Sequence, residues 1–296
     1  MEEQINEFLA FLQDGKRYAQ NTVEAYRNDL TQFLNFAANE RPHLASWGRV
    51  DKPLLLDFVT HLKERGYTAS SVARKIAVLK TFYHFLSKQN LIGEDPTATL
   101  GSPKVQKKLP QILTHAEIDR LLAAPMNHRT PKGLRDHAIL ELLYAAGVRV
   151  TELVSLDVDS LHLDELTVDC LGSGSRIRVI PITDRAVAAL SSYLQRGRPA
   201  LASGAANALF VNPHGERLTR QGLWLILKEY VQEAQIKTPV TPHTLRHSFA
   251  VHQLNQGANL QNVQKLLGHA NITTTQMYTR LVTAASDGDP QGPLSR

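Results

Sequence analysis

The stretch 93–112, GEDPTATLGSPKVQKKLPQI, constrains this chain most. Its prolines at 96, 103 and 110 and its glycines at 93 and 101 favour an extended chain. The sequence therefore divides into two bodies, 1–92 and 113–285, joined by an extended linker at 93–112. Lys104, Lys107 and Lys108 make that linker basic. It reads either as a solvated connector or as a strap along a phosphate backbone.

The first body has helical periodicity throughout. Ile5, Phe8, Leu9 and Leu12 share one face, Tyr26, Leu30, Phe33 and Leu34 a second, and Leu55, Phe58, Val59 and Leu62 a third. Val72, Ile76, Leu79, Tyr83 and Leu86 repeat the three-and-four spacing. Breaks at Asp14-Gly15, between Arg41 and Gly48, and at Gly66 separate four helices.

The second body opens on Thr114-His115-Ala116-Glu117, whose spacing is that of a capping box at a helix start. Helices are expected near 115–124 and 133–146. Between Leu161 and Ile182 the pattern turns to strand alternation, through Leu166, Val168 and Cys170, then Ile177 and Val179, with Gly172-Ser173-Gly174-Ser175 as the turn. A small antiparallel sheet is expected there, followed by a helix at 184–197, a short strand at Leu209-Phe210-Val211, and helices from 219 to 278. Residues 281–285 could extend the last helix. The end, 286–296, has too few apolar residues to anchor it and is expected to be disordered. The fold class is mainly α: a four-helix N-terminal domain and an α-rich second domain carrying a small sheet.

Composition excludes several classes. The single Cys170 rules out a disulfide framework and a cysteine metal cluster. No apolar run approaches the roughly 18 residues that cross a bilayer, and MEEQINEFLAFLQD has acid where a signal peptide has base. A cytoplasmic protein without membrane insertion is expected. The 33 Lys and Arg against 28 Asp and Glu, a net charge of +5, permit a polyanionic partner without requiring one.

Four segments could carry chemistry. His243-Thr244-Leu245-Arg246 sets an imidazole and a guanidinium three apart, on one helix face and within reach of one oxyanion. Taken alone it could equally be a surface pair. Gly268 is a plausible helix terminator that turns His269 into a cleft. Tyr278 could be a covalent nucleophile near cationic groups, or simply a packed ring with a hydrogen-bonded tip. Arg149 follows an apolar helical segment and has Glu152 three residues on, either to orient it or as an ordinary ion pair. His243 and His247 have metal-ligand spacing, but the segment lacks the glutamate of a zinc protease and no cysteine or third ligand is evident, so no metal is expected. Gly172-Ser173-Gly174 lacks the Gly-Lys-Ser/Thr of a nucleotide cradle.

Together, Arg149, His243-x-x-Arg246, Gly268-His269 and Tyr278, in that order, resemble the tyrosine recombinase (phage integrase) family. GVRVTELVSL, HTLRHSFA, LLGHANITTTQMYT and the early NTVEAYRNDLTQFL resemble its Xer-type members from the N-terminal residues to about Leu281. The resemblance implies a core-binding domain over 1–92 and a catalytic domain over 113–285, which clamp double-stranded DNA from opposite sides. It implies site-specific recombination, of the kind used in DNA integration and chromosome segregation, by a homo-tetramer or hetero-tetramer on two DNA sites. Tyr278 would attack the scissile phosphate, Arg149 and Arg246 would bind its non-bridging oxygens, and His243 and His269 would assist. No cofactor is implied, because a 3′-phosphotyrosine keeps the energy of the broken bond. Lys104, Lys107, Lys108, Arg176 and Arg178 are the candidate DNA-binding cations.

Two departures from the family pattern stand out. The hairpin turn usually carries a lysine between two glycines, the acid that protonates the leaving 5′-oxygen; here Ser173 occupies it, and a serine hydroxyl is a very weak acid. Arg176 and Arg178 hold their protons too tightly to replace an ammonium group. Ser173, natural or introduced, thus supports an alternative: a DNA-binding protein of the same fold with weak or no catalysis. The second departure is the polar, proline- and glycine-bearing end, where relatives usually have a helix that docks on a neighbouring subunit.

Overall fold

The computed structural model describes all residues except 16–17, 105–109, 173–176, 203–206, 270 and 287–296. Ser173, Arg176, Lys107 and Lys108, and all but the first residue of the 286–296 end, therefore lie outside the described residues. The chain forms two compact units, Met1–Lys107 and Lys108–Arg296.

The first unit is built on α1 (Glu2–Ala10), α2 (Gln20–Glu40), α3 (Lys52–Glu64) and α4 (Ala69–Lys88). Local chemistry sets their starts: Asp51 accepts from the Leu54 amide at 3.0 Å and Thr68 from the Ser71 amide at 3.3 Å, each satisfying a donor left free at a helix N-terminus. Gly66, at φ +77°, turns the chain between α3 and α4. The expected apolar faces meet in one core, with Phe8, Leu12, Leu30, Phe33, Phe58, Leu79, Phe82 and Tyr83 all buried. Each such side chain contributes about 1.5–3 kcal/mol by leaving water. Asp29 on α2 is buried against Lys75 of α4 at 2.6 Å and also binds Arg74, so α2 and α4 are joined by charge as well as packing. The chain past α4 stays with this unit as far as Leu100, which is buried in the core beyond a turn where Asp95 accepts from the Thr97 amide and hydroxyl.

The second unit begins with α5 (His115–Ala123), whose start is the capping box formed by Thr114 and Glu117. Next come α6 (Pro131–Ala146) and α7 (Val150–Ser155), then the strands β1 (Leu161–His162), β2 (Thr167–Leu171) and β3 (Ile177–Pro181), paired antiparallel in the order β1-β2-β3. The remaining helices are α8 (Asp184–Ser192), the short α9 (Arg198–Leu201), α10 (Arg220–Glu233), α11 (Pro242–Asn255), α12 (Leu260–Leu267) and α13 (Thr273–Ser286). Apolar residues surround α6, and its Ala138, Ile139, Leu140, Leu142 and Leu143 are all buried, as expected of a helix at the centre of a unit. A second cluster joins Phe249 and Val251 of α11, Val263 and Leu267 of α12, and Tyr278 and Leu281 of α13.

Two local expectations change. Register pairs Cys170 with Arg178 and Leu171 with Ile177, and paired residues share a face. Val168, Cys170 and Ile180 are buried, so Arg178 lies on the inner face, while Ile177 and Val179 are 67% and 60% exposed. Residues 209–211 form no strand of the sheet. Leu209 donates to Leu156 and Leu218 donates to Phe210, and only isolated bridges, Asp157 with Ala208 and Val211 with Arg217, border the segment. Among the described residues no helix is long and apolar enough to cross a membrane.

Candidate active site

The site is assembled at three helix ends. Helix α6 stops at Gly147, whose φ of +55° is left-handed and whose missing side chain leaves room for the Phe249 ring. Val148 is buried, and Arg149 then caps α7. Glu152, in the first turn of α7, accepts from the Arg149 amide at 2.7 Å and from Arg149 Nη1 at 2.8 Å. It thus satisfies a free amide and complements the helix dipole while orienting the guanidinium.

The same carboxylate accepts from Arg178 Nη1 at 3.2 Å and Nη2 at 3.1 Å, and Arg246 Nη1 lies 4.0 Å away. Burial by itself would raise the Glu152 pKa. The Arg178 hydrogen bonds, the Arg149 amide and the charges of both arginines outweigh it and hold the carboxyl below its usual range. Three guanidiniums therefore gather around one buried carboxylate.

Arg246 comes from α11, which starts at Thr241 with a reciprocal cap to Thr244. Its side chain is buried; Nη1 donates to the Gly147 carbonyl at 2.5 Å and Nη2 to the Leu267 carbonyl. Burial, then the neighbouring Arg149, pushes its pKa down to about 10, which leaves it charged at neutral pH. Helix α12 ends at Gly268, at φ +62°. The Gly268 carbonyl accepts from Arg149 Nη2 at 2.9 Å, and a side chain at this position would collide with the Arg178 guanidinium. The carbonyls ending α6 and α12 thus orient Arg246 and Arg149.

His269 follows directly. Its Nδ1 is 3.0 Å from the Thr275 hydroxyl, and burial, with Arg246 and Arg149 adding to it, pushes its pKa down to about 4. Tyr278 on α13 is 1% exposed, and its hydroxyl is hydrogen-bonded to His247 Nδ1 at 2.9 Å. Burial raises the phenol pKa, against the pull of Arg246 and Arg149, so the hydroxyl is protonated in this arrangement. The His243 ring lies 6.4 Å from that of His247, and the His269 ring 6.4 Å from that of Tyr278. Among the described residues no three His, Cys, Asp or Glu side chains group as a metal site.

Arg149, Arg246, His243, His269 and Tyr278 are thus brought together from α6 to α13. Arg178, expected to face DNA, has its side chain turned onto Glu152 and only 15% exposed, because β3 presents it on the inner face. Lys104 is exposed. Sequence reasoning missed His247 as the partner of Tyr278, having weighed it only as a ligand beside His243. Its position one residue after Arg246 was the available signal.

Comparisons with known proteins identify the family. Residues 111–284 match the phage integrase family, and residues 5–90 match its N-terminal SAM-like domain. Tyrosine recombinase XerC of Roseiflexus castenholzii is 47% identical over 299 residues, covering 100% of this chain and 94% of that one. Tyrosine recombinase XerD of Oceanobacillus iheyensis is 42% identical over 286 residues, covering 96% and 95%. Among solved structures, XerA recombinase is 26% identical with a TM-score of 0.54, over 98% of this chain and 100% of that one. XerH bound to palindromic difH substrate, a post-cleavage complex, shares the fold with a TM-score of 0.76 at 19% identity, over 97% and 83%. With the family match spanning more than half of its length and near-half identity to relatives along all of it, the chain belongs to the phage integrase family, the tyrosine recombinases.

Proposed function

We propose that this protein is a site-specific recombinase that cuts and rejoins double-stranded DNA through a covalent 3′-phosphotyrosine on Tyr278. The observation that carries it is the convergence of Arg149 and Arg246 on the carbonyls of Gly147, Leu267 and Gly268, beside His269 and the Tyr278–His247 pair. A guanidinium has five N–H donors, and the bonds to these carbonyls orient the groups while leaving others for a phosphate. The Tyr278 hydroxyl attacks phosphorus, the P–O5′ bond breaks, and the freed 5′-hydroxyl reverses the step on the partner duplex. Arg149 and Arg246 stabilise the negative charge that grows on the non-bridging oxygens. His243 and His269 assist by hydrogen bonding and proton transfer.

The DNA-bound recombinases of the same fold, and the XerC and XerD relatives, support duplex DNA as the partner. Four subunits, of one kind or two, acting on two DNA sites complete the reaction, in a role such as chromosome segregation. The reading as a binding protein without useful catalysis rests on Ser173 alone and is not favoured, because relatives 47% identical over the whole chain are named recombinases.

The test is covalent capture on nicked duplexes selected from a randomised pool. The chain forms an SDS-resistant adduct, while Tyr278→Phe forms none and binds duplex within a few-fold of the parent. Adducts persisting in the Phe variant would move the nucleophile elsewhere.

A further inference from the structure

His247 has no part in the reaction as described so far, yet it is the residue that touches the nucleophile. Its Nδ1 is 2.9 Å from the Tyr278 hydroxyl, within the reach a general base needs, and the two rings lie 5.5 Å apart. The other imidazoles are placed differently. His269 Nδ1 is engaged with the Thr275 hydroxyl, and the ring of His243 stands one helical turn before His247 on α11. We infer that His247 is a further catalytic residue, the base that takes the phenolic proton as Tyr278 attacks the phosphate. The inference rests on the recombinase reading above.

The local chemistry suits the role. Tyr278 is buried and protonated, so an attack on phosphorus must dispose of a proton that solvent cannot easily collect. The groups facing His247 are His243 and Arg246 on its own helix, Tyr278 on α13 and His269 after α12. Burial, with the charges of His243 and Arg246 adding to it, pushes His247 down to about 4, so it is neutral at pH 7 and Nδ1 is free to accept when Nε2 carries the hydrogen. A bound phosphodiester brings a negative charge beside Arg246, which offsets that cation and makes His247 more basic when the proton must move. In the step, the Oη–P bond forms, the P–O5′ bond breaks, the phenolic proton passes to His247 Nδ1, and the departing 5′-oxygen takes a proton from water. Rejoining runs the same path backwards: protonated His247 returns its proton to Tyr278 as the phenol leaves.

The experiment compares the full chain with His247→Gln in two reactions on the same selected duplex. In the first, a nicked strand reports the rate of covalent adduct formation; loss of a general base lowers it by about 10²–10⁴-fold. In the second, a strand ending in a 3′-p-nitrophenyl phosphate is ligated to a 5′-hydroxyl strand. With Tyr278→Phe in both chains, the 5′-hydroxyl attacks phosphorus directly, gives its proton to water and expels p-nitrophenoxide unprotonated, so His247→Gln should ligate within about threefold of the chain that keeps His247. Equal losses in both reactions overturn the proposal, since they mean damage to the arginines rather than loss of a base. An unchanged rate of adduct formation also overturns it. A faster rate does so too, and makes the hydrogen bond a latch that holds Tyr278 in reserve. If the parent chain itself forms no adduct, it is the recombinase reading that fails.

Discussion

Replacing Glu152 with Gln keeps the shape of the side chain and removes only its charge, so the effect can be worked from the contacts. An amide oxygen still accepts from the Arg149 backbone N–H, and that bond is kept. Arg178 donates twice to the carboxylate between side chains 15% and 5% exposed, a charge-assisted pair whose loss costs about 2–3 kcal/mol. The Arg149 side chain is 36% exposed, and water screens its pair to no more than about 1 kcal/mol. The sum, about 2–4 kcal/mol, divided by a urea dependence of about 2–3 kcal/mol/M, lowers the unfolding midpoint by about 0.7–2 M. Urea titration followed by Trp224 fluorescence in the second unit measures it. A pH arm tests the cause. Because the folded-state pKa of Glu152 is depressed, its stabilisation is fully present above the ordinary value of 4.5 and is lost as pH falls through the lower folded value. The gap between parent and variant should therefore close below that range. A midpoint shift under about 0.3 M at pH 7, or a gap unchanged in acid, would refute the reasoning.

Two further outcomes follow from the same site. Ser173→Lys should speed cleavage of ordinary DNA by about 10²–10⁴-fold, or roughly 3–5 kcal/mol of barrier, by restoring an acid for the 5′-oxygen. DNA with sulfur as the bridging 5′-atom, which leaves without a proton, should be cut rapidly by the chain as it stands; equal rates on oxygen and sulfur substrates, with no gain from the Ser173→Lys substitution, would show that another group already serves as the acid. Gly147→Ala forces a left-handed alanine against the Phe249 ring and should cost about 2–4 kcal/mol, a fall of about 5–15 °C in Tm by calorimetry. A shift under about 1 °C would mean that Phe249 yields freely.

Much of this protein is written locally. The three-and-four spacing of Ile5, Phe8, Leu9 and Leu12 and its repeats specify four helices, because an apolar stripe of that period can be buried only as a helix. The Thr114–Glu117 cap and the glycine at 268 mark helix ends through groups within four residues of one another. The order of Arg149, His243, Arg246, His269 and Tyr278 carries the family, so these candidates are legible before any fold is known. Tertiary structure alone decides how they meet. Arg149 reaches the Gly268 carbonyl across 119 positions and Arg246 the Gly147 carbonyl across 99, distances over which no local pattern acts. The inward turn of Arg178 depends on the pairing of Cys170 with Arg178, since a shift of one residue in register would carry its side chain to the opposite face. His247 stands beside Arg246 in the sequence, but only the packing of α13 on α11 brings the Tyr278 hydroxyl to its nitrogen, because a hydrogen bond across 31 residues is set by how two helices cross, not by the residues of either one.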